Sequence, residues 1–274
     1  MASPFEPLFD PSFRILSADG QNMFVSGDGE IFGTAGTQWV NLYGLYGSLI
    51  LDNSFNQGGD VIGFPSAAEN WEVAVSGSNA VITDGTSTVY VPVGLGDLYL
   101  SFDNVWYPLR FDPDEGAVLL GDQEVTDSFA PILADSIAYP GIGASLDIVG
   151  KLLFNPGGEV FIGGSFDIFG TASDERVILG TGNFVLDPSF NQGADTVQLF
   201  RRPEETTAEI DGSFVVLETA VVEARIPVGP NPLTLFFRDN FYEEERELYL
   251  ATDTGTVFIG NQIITTDPMP LSMG

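Results

Sequence analysis

Leu51-Asp52-Asn53-Ser54-Phe55-Asn56-Gln57-Gly58-Gly59-Asp60 returns 135 residues later as Leu186-Asp187-Pro188-Ser189-Phe190-Asn191-Gln192-Gly193-Ala194-Asp195. Upstream the match continues at an offset of 137, pairing Ile31–Ala35 with Ile168–Ala172, Phe24 and Val25 with Phe161 and Ile162, and Arg14 with Lys151. It reaches back to Phe9-Asp10 against Leu146-Asp147. Downstream, Val91-Pro92-Val93-Gly94 answers to Ile226-Pro227-Val228-Gly229 at 135, and Leu120–Gln123 to Ile259–Gln262 at 139. The offsets slip where loops are expected. Self-similarity at a fixed long period means one structural unit used twice. The reading is two tandem homologous domains, 1–135 and 146–274, joined by a linker over 136–145.

The fold class follows from punctuation and run length. Thirty-two Gly and 17 Pro leave almost no stretch of helical length. Between them stand short β-branched and aromatic runs, such as Thr88–Val91, Leu98–Phe102 and Leu233–Phe237. Asp114-Glu115-Gly116 and Asp253-Thr254-Gly255 have the composition of hairpin turns. The expectation is all-β, two β-sandwich-like or β-roll-like domains.

Charge narrows the partners. The 274 residues carry 39 Asp and Glu against 9 Lys and Arg, a formal net charge of −30, with no His and no Cys. Nucleic-acid binding runs on cations that neutralise phosphate, so it is excluded as an expectation. Attraction to anionic membranes is disfavoured for the same reason. No stretch approaches the apolar length of a membrane helix, and Met1–Pro7 has no positively charged lead or apolar core, so no signal peptide is expected at the start. Thiol, imidazole and the usual zinc chemistry are absent with their side chains. No nucleophile elbow or phosphate loop occurs, and no catalytic residue is assigned.

The repeated loop is the strongest chemical candidate. Asp52, Asn56 and Asp60 stand four apart, as do Asp187, Asn191 and Asp195. These oxygen-bearing side chains beside flexible glycines fit a hard cation such as Ca2+. The competing reading is an Asx-turn, in which each side chain binds its own backbone. Unbalanced negative charge favours the cation, because self-repulsion destabilises a compact state and a bound divalent ion relieves it. Halophilic solvation is the rival account of the charge. The aromatics Trp39, Tyr43, Tyr46, Trp106 and Tyr107 lie beside turns, where a sugar or partner surface competes with plain core packing.

The tails repeat as well. Thr126–Pro131 leads out of copy one as Thr265–Pro270 leads out of copy two. A junction within the chain has the makings of a head-to-tail contact between chains, and such a contact gives a fibre or lattice when it does not close.

The Phe-Gly-Thr-Ala, Leu-Asp-x-Ser-Phe-Asn-Gln-Gly-x-Asp and Pro-Val-Gly elements resemble repeat domains of acidic, Cys-free, calcium-binding extracellular proteins of Gram-negative bacteria, of the RTX-associated, S-layer or biofilm-matrix type. Gly163–Gly170 is similar to half an RTX nonapeptide, with Phe166 in place of a second glycine. The resemblance implies an extracellular structural protein that uses calcium. The resulting expectation is a non-enzymatic, self-assembling surface-layer, sheath or filament protein. The alternative is a calcium-dependent adhesin module that binds a cell-surface glycan.

Overall fold

The computed structural model describes residues 9–44, 46–57, 59–229, 231–239 and 241–272. The opening residues read above for a leader, and Gly58 of the repeated loop, lie outside the described residues. The protein is all-β: twenty-six strands and three short 3-10 turns account for its regular structure among the described residues. No helix of the described residues is long and apolar enough to cross a membrane. The chain divides into two compact units, Met1–Gly150 and Lys151–Gly274. Residues 136–145, expected as a linker, run within the first.

The first unit contains β1 (Phe13–Leu16), β2 (Asn22–Ser26), β3 (Gly29–Phe32), β4 (Trp39–Leu42), β5 (Ser48–Leu51), β6 (Val61–Phe64), β7 (Glu72–Ser76), β8 (Asn79–Thr83), β9 (Thr88–Pro92), β10 (Leu98–Phe102), β11 (Val105–Asp112), β12 (Ala117–Leu120), β13 (Gln123–Val125) and β14 (Ala130–Pro131). They join in two runs. One is parallel through β1, β3, β5 and β9, then antiparallel through β8, β7 and β14. The other is parallel through β2, β4, β6 and β10, then antiparallel through β11, β12 and β13.

After β15 (Val149–Phe154) the second unit repeats the plan in β16 (Glu159–Phe169), β17 (Arg176–Leu186), β18 (Thr196–Leu199), β19 (Thr207–Asp211), β20 (Phe214–Glu218), β21 (Val222–Pro227), β22 (Leu233–Arg238), β23 (Glu243–Ala251), β24 (Thr256–Ile259), β25 (Gln262–Ile264) and β26 (Met269–Pro270). Here β16 and β17 are long enough to serve both runs. β17 pairs in parallel with β18 through its first half and with β21 through its second. The mutual register of β16 and β17 shifts between Ile162 and Gly164, so both strands turn the corner at that point.

Glycine makes that corner possible. A Cβ on Gly182 (φ +145°) would lie 1.7 Å from the carbonyl oxygen of Gly164. The counterpart in the first unit is Gly47 (φ +87°), whose Cβ would lie 2.5 Å from the carbonyl carbon of Gly27. Two backbones this close leave no room for any side chain at either position.

Alternation buries one face of each outer strand. In β1, Phe13 and Ile15 point inward while Arg14 and Leu16 face solvent. β16 is instead buried continuously from Val160 to Phe166. The first core centres on Phe64, which stacks on Phe102 with ring centroids 4.4 Å apart and meets Trp71 at 4.8 Å. The second is built on Phe166, Phe184, Phe190 and Phe237. The expected turns at Asp114–Gly116 and Asp253–Gly255 close the β11–β12 and β23–β24 hairpins, with Gly116 and Gly255 at positive φ.

Residues 134–145 lie across the first unit. Ile137 N–H donates to Trp106 O at 2.8 Å, and the ring of Tyr139 lies 5.0 Å from that of Trp106 and 6.4 Å from that of Trp39. Ser145 then exchanges main-chain hydrogen bonds with Gly20 and Asn22, both 2.8 Å.

Candidate functional site

Each repeated loop starts as an Asx-turn at the end of a strand. Asp52 Oδ1 accepts from the main-chain N–H of Ser54 at 2.9 Å and from its hydroxyl at 2.7 Å. Asp187 Oδ1 accepts from Ser189 N–H at 2.9 Å, and Pro188 presets the following 3-10 turn. The Ser54 N–H, donating to the charged carboxylate, holds Asp52 below the usual carboxylate range. The serine hydroxyls then accept from Gly33 and Gly170 of the repeated Phe-Gly-Thr-Ala segment. Phe55 and Phe190 are driven fully into the cores.

Asn56 and Asn191 bind a different repeated segment. Their Nδ2 groups donate to Pro92 O at 3.2 Å and Pro227 O at 3.0 Å. A Cβ on Gly94 or Gly229 would come within 2.7 or 3.0 Å of the same amides. The loop and the Pro-Val-Gly motif repeat together because they touch.

Asp60 and Asp195 serve a third purpose, and both are fully buried. Asp60 Oδ1 accepts the main-chain N–H of Gln38 at 2.7 Å, and Asp195 Oδ1 that of Glu175 at 2.8 Å. Residues 38 and 175 return their carbonyls to Val61 N and Thr196 N. The two aspartates thus stitch one turn of the parallel stack to the next. Burial pushes both carboxyls up to about 7; the N–H donors oppose the shift, while the charges of Asp19 and Glu175 add to it.

A second carboxylate accompanies each buried aspartate, from unrelated positions. In the first unit Asp19 Oδ1 accepts the Thr34 hydroxyl and the Gly36 N–H, while Gln38 Oε1 accepts Thr34 N–H at 3.0 Å. In the second unit Glu175 replaces Gln38 and does both jobs, taking Thr171 N–H at 2.9 Å and the Thr171 hydroxyl. Pro156 stands where Asp19 would. In the sequence Asp19 opens a second candidate cluster, Asp19–Asn22, ahead of the first Phe-Gly-Thr-Ala segment, and nothing in the motifs singles out Gln38 or Glu175. The available signal is the threonine kept in both Phe-Gly-Thr-Ala segments.

The six expected ligands therefore go to three sets of protein partners in each unit. Among the described residues no group of three or more acidic side chains is arranged to hold a metal. Two buried oxygens of these six residues nevertheless accept no hydrogen bond: Asp60 Oδ2 and Asn191 Oδ1. A buried acceptor without a donor is costly and is relieved by a proton, a water or a cation. An all-oxygen donor set of this kind suits a hard cation.

Of the aromatics, Trp106 and Tyr107 are buried, whereas Tyr43 and Tyr46 are exposed at the first unit's glycine corner. No family model matches the chain, and no curated protein matches it. Among solved structures, the extracellular lipase LipA from Serratia marcescens aligns with 73% of this chain at 14% identity and a TM-score of 0.16. This chain spans about a third of that protein, 36% of its length, and a likeness so slight carries neither fold nor function.

Proposed function

We propose that this is an extracellular structural protein of two tandem homologous domains, β-sandwich-like and β-roll-like in parts. In this reading it takes up Ca2+ at its duplicated loops and self-assembles into a surface layer, sheath or matrix filament. The observation that carries the reading is the pair of buried, donorless oxygens on Asp60 and Asn191, in loops present twice in a chain of net charge −30. Arginine does not offset that charge. Eight ion pairs among the described residues engage eight carboxylates, against 39 Asp and Glu in the chain. Most of these pairs are exposed and worth little.

In this account each loop takes its own cation, through Asp60 in the first and Asn191 in the second, with Asp52 and Asn56, and Asp187 and Asp195, building the loops around them. The bound ion supplies positive charge to acceptors that the chain leaves unmet, and it links folding to metal. The protein's own groups supply rigidity: the Asx-turn, the amide on the Pro-Val-Gly strand and the stitch to residues 38 and 175. Electron microscopy across a Ca2+ titration, with EDTA reversal, tests the reading. Polymers that appear with Ca2+ and dissolve in chelator support it; a monodisperse protein at every Ca2+ level removes it.

A second reading, a calcium-dependent glycan-binding adhesin, draws on Tyr43 and Tyr46. They are 52% and 43% exposed, on a corner loop two residues longer than its counterpart in the second unit. Saturable binding on a glycan array, lost on Tyr43→Ala with Tyr46→Ala, would favour it.

A further inference from the structure

Each unit is closed by an arm laid along the first strand of its antiparallel hairpin. In the first unit, Thr126 O accepts Val75 N–H at 2.7 Å, Ala130 and Pro131 pair with Val73 and Glu72, and Ile132 N–H donates to Trp71 O at 3.2 Å. In the second, Thr265 O accepts Ile210 N–H at 2.8 Å, Met269 and Pro270 pair with Ala208 and Thr207, and Leu271 N–H donates to Thr206 O at 2.9 Å. A glutamine clamps each arm. Gln123 Nε2 donates to Pro131 O at 3.0 Å and its Oε1 accepts Leu133 N–H at 2.7 Å. Gln262 does the same to Pro270 O at 3.0 Å and Ser272 N–H at 2.8 Å.

Three properties make the second arm detachable. Its strand pairing covers only two residues, with Gln262 and Arg246, whose guanidinium donates to Ser272 O at 2.6 Å, as polar clamps that a second copy supplies equally. Of its own side chains only Leu271 is buried, at 1% exposure, while Thr265–Pro268, Pro270 and Ser272 are exposed. It springs from a turn closed within itself, Asp267 N–H binding the Thr265 hydroxyl at 3.3 Å. Segments with few buried side chains open at low cost. The first arm has the same groove but runs on into the Tyr139–Trp106 contact and the Ser145 bonds, which tie it down on both sides.

We infer that the arm Thr265–Ser272 exchanges between copies of this chain, leaving its own groove to seat against Thr206–Ala208 of a second copy. Each hydrogen bond broken in one groove is remade in the next, so the exchange is nearly neutral within each groove, and an open-ended series of exchanges extends without closing. The inference rests on the self-assembly proposed above and names the contact that would join subunits.

The chain has no cysteine, so introduced thiols report cleanly. Ala208 and Met269 are directly opposed. Ala208→Cys and Met269→Cys are made as separate variants, mixed, incubated under polymerising conditions and oxidised. Exchange predicts a covalent heterodimer on a non-reducing gel, abolished when Leu271→Asp is added to the Met269→Cys chain. The same two cysteines in one chain, and the neighbouring pair Thr207→Cys with Pro270→Cys, show whether the seat permits a disulfide. If either closes within a chain and the mixture gives no heterodimer, exchange is refuted. If neither closes, the arm is not seated as described and the inference falls. A heterodimer that persists with Leu271→Asp is collisional and also counts against it. Polymers without cross-links leave the self-assembly reading standing and remove arm exchange; cross-linked dimers without polymers do the reverse.

Discussion

Asp60 Oδ1 lies 2.7 Å from the main-chain nitrogen of Gln38, and the carboxyl's second oxygen is buried without a hydrogen-bond donor. The link joins the turn before β4 to the turn before β6, and Asp195 repeats it with Glu175. A stack of parallel strands depends on such turn-to-turn ties, because its loops leave backbone donors that the strands do not use.

Asp60→Ala strands the Gln38 N–H in a buried site. It is expected to cost about 1–3 kcal/mol, the penalty of an unmet buried donor. Asp60→Asn keeps an acceptor and removes the buried charge, so it should cost clearly less. Urea denaturation of both variants checks the order; an alanine variant as stable as the asparagine one would contradict the stitch.

Stability should depend on pH with a definite sign. Both buried aspartates stand at about 7 in the fold against 3.8 for an ordinary aspartate, so the native state holds protons that the unfolded chain has released. Their contribution is fully present below about 3.8 and is lost as pH rises toward 7. In metal-free buffer, thermal stability should therefore fall between those limits. Asp60→Asn with Asp195→Asn should flatten that fall; an unchanged slope in the double variant would show that the charge of the chain as a whole sets the pH dependence.

The glycine corner separates two kinds of glycine. Gly182→Ala places a Cβ 1.7 Å from Gly164 O and should leave little soluble folded protein. Gly212, also at positive φ, has nothing within 4 Å of its Cβ position. Gly212→Ala should cost only about 1 kcal/mol, from backbone strain alone. Expression yield and melting of the two variants test the contrast.

Residues 136–145 should resist protease only while Tyr139 sits on Trp106 and Trp39. Tyr139→Ala removes the ring contact but leaves the bonds at Ile137 and Ser145. Limited proteolysis with mass mapping should show new cuts between those two positions at least several times faster than in the parent; equal rates would mean that the main-chain bonds alone hold the segment.

Much of this is legible in the residues. The duplication reads directly from the ten-residue loop, and the hairpin turns at Gly116 and Gly255 follow from composition. Parallel pairing is not legible, since a four-residue strand such as Val61–Phe64 looks the same in either direction. Gly163 and Gly164 read as part of half an RTX nonapeptide, yet they sit inside the eleven-residue β16, at a bend shared with Gly182. The contact between Asn56 and Pro92 is tertiary, so the two motifs read as separate repeats. The shared task of Asp19 and Glu175 is not legible, because they meet equivalent threonines from non-equivalent positions, which an alignment of the copies cannot pair.

The claim at the centre is that a hard cation answers the unmet oxygens of the doubled loop. Calorimetric melting of EDTA-treated protein, in CaCl2 and in NaCl of matched ionic strength, tests it most directly. A site well saturated by Ca2+ adds about 3 kcal/mol. At about 2–4 °C per kcal/mol for a chain of this size, Ca2+ should raise the Tm by about 6–12 °C over NaCl, and Asp60→Asn with Asp195→Asn should abolish the difference. Coincident melting curves in the two salts would contradict the account.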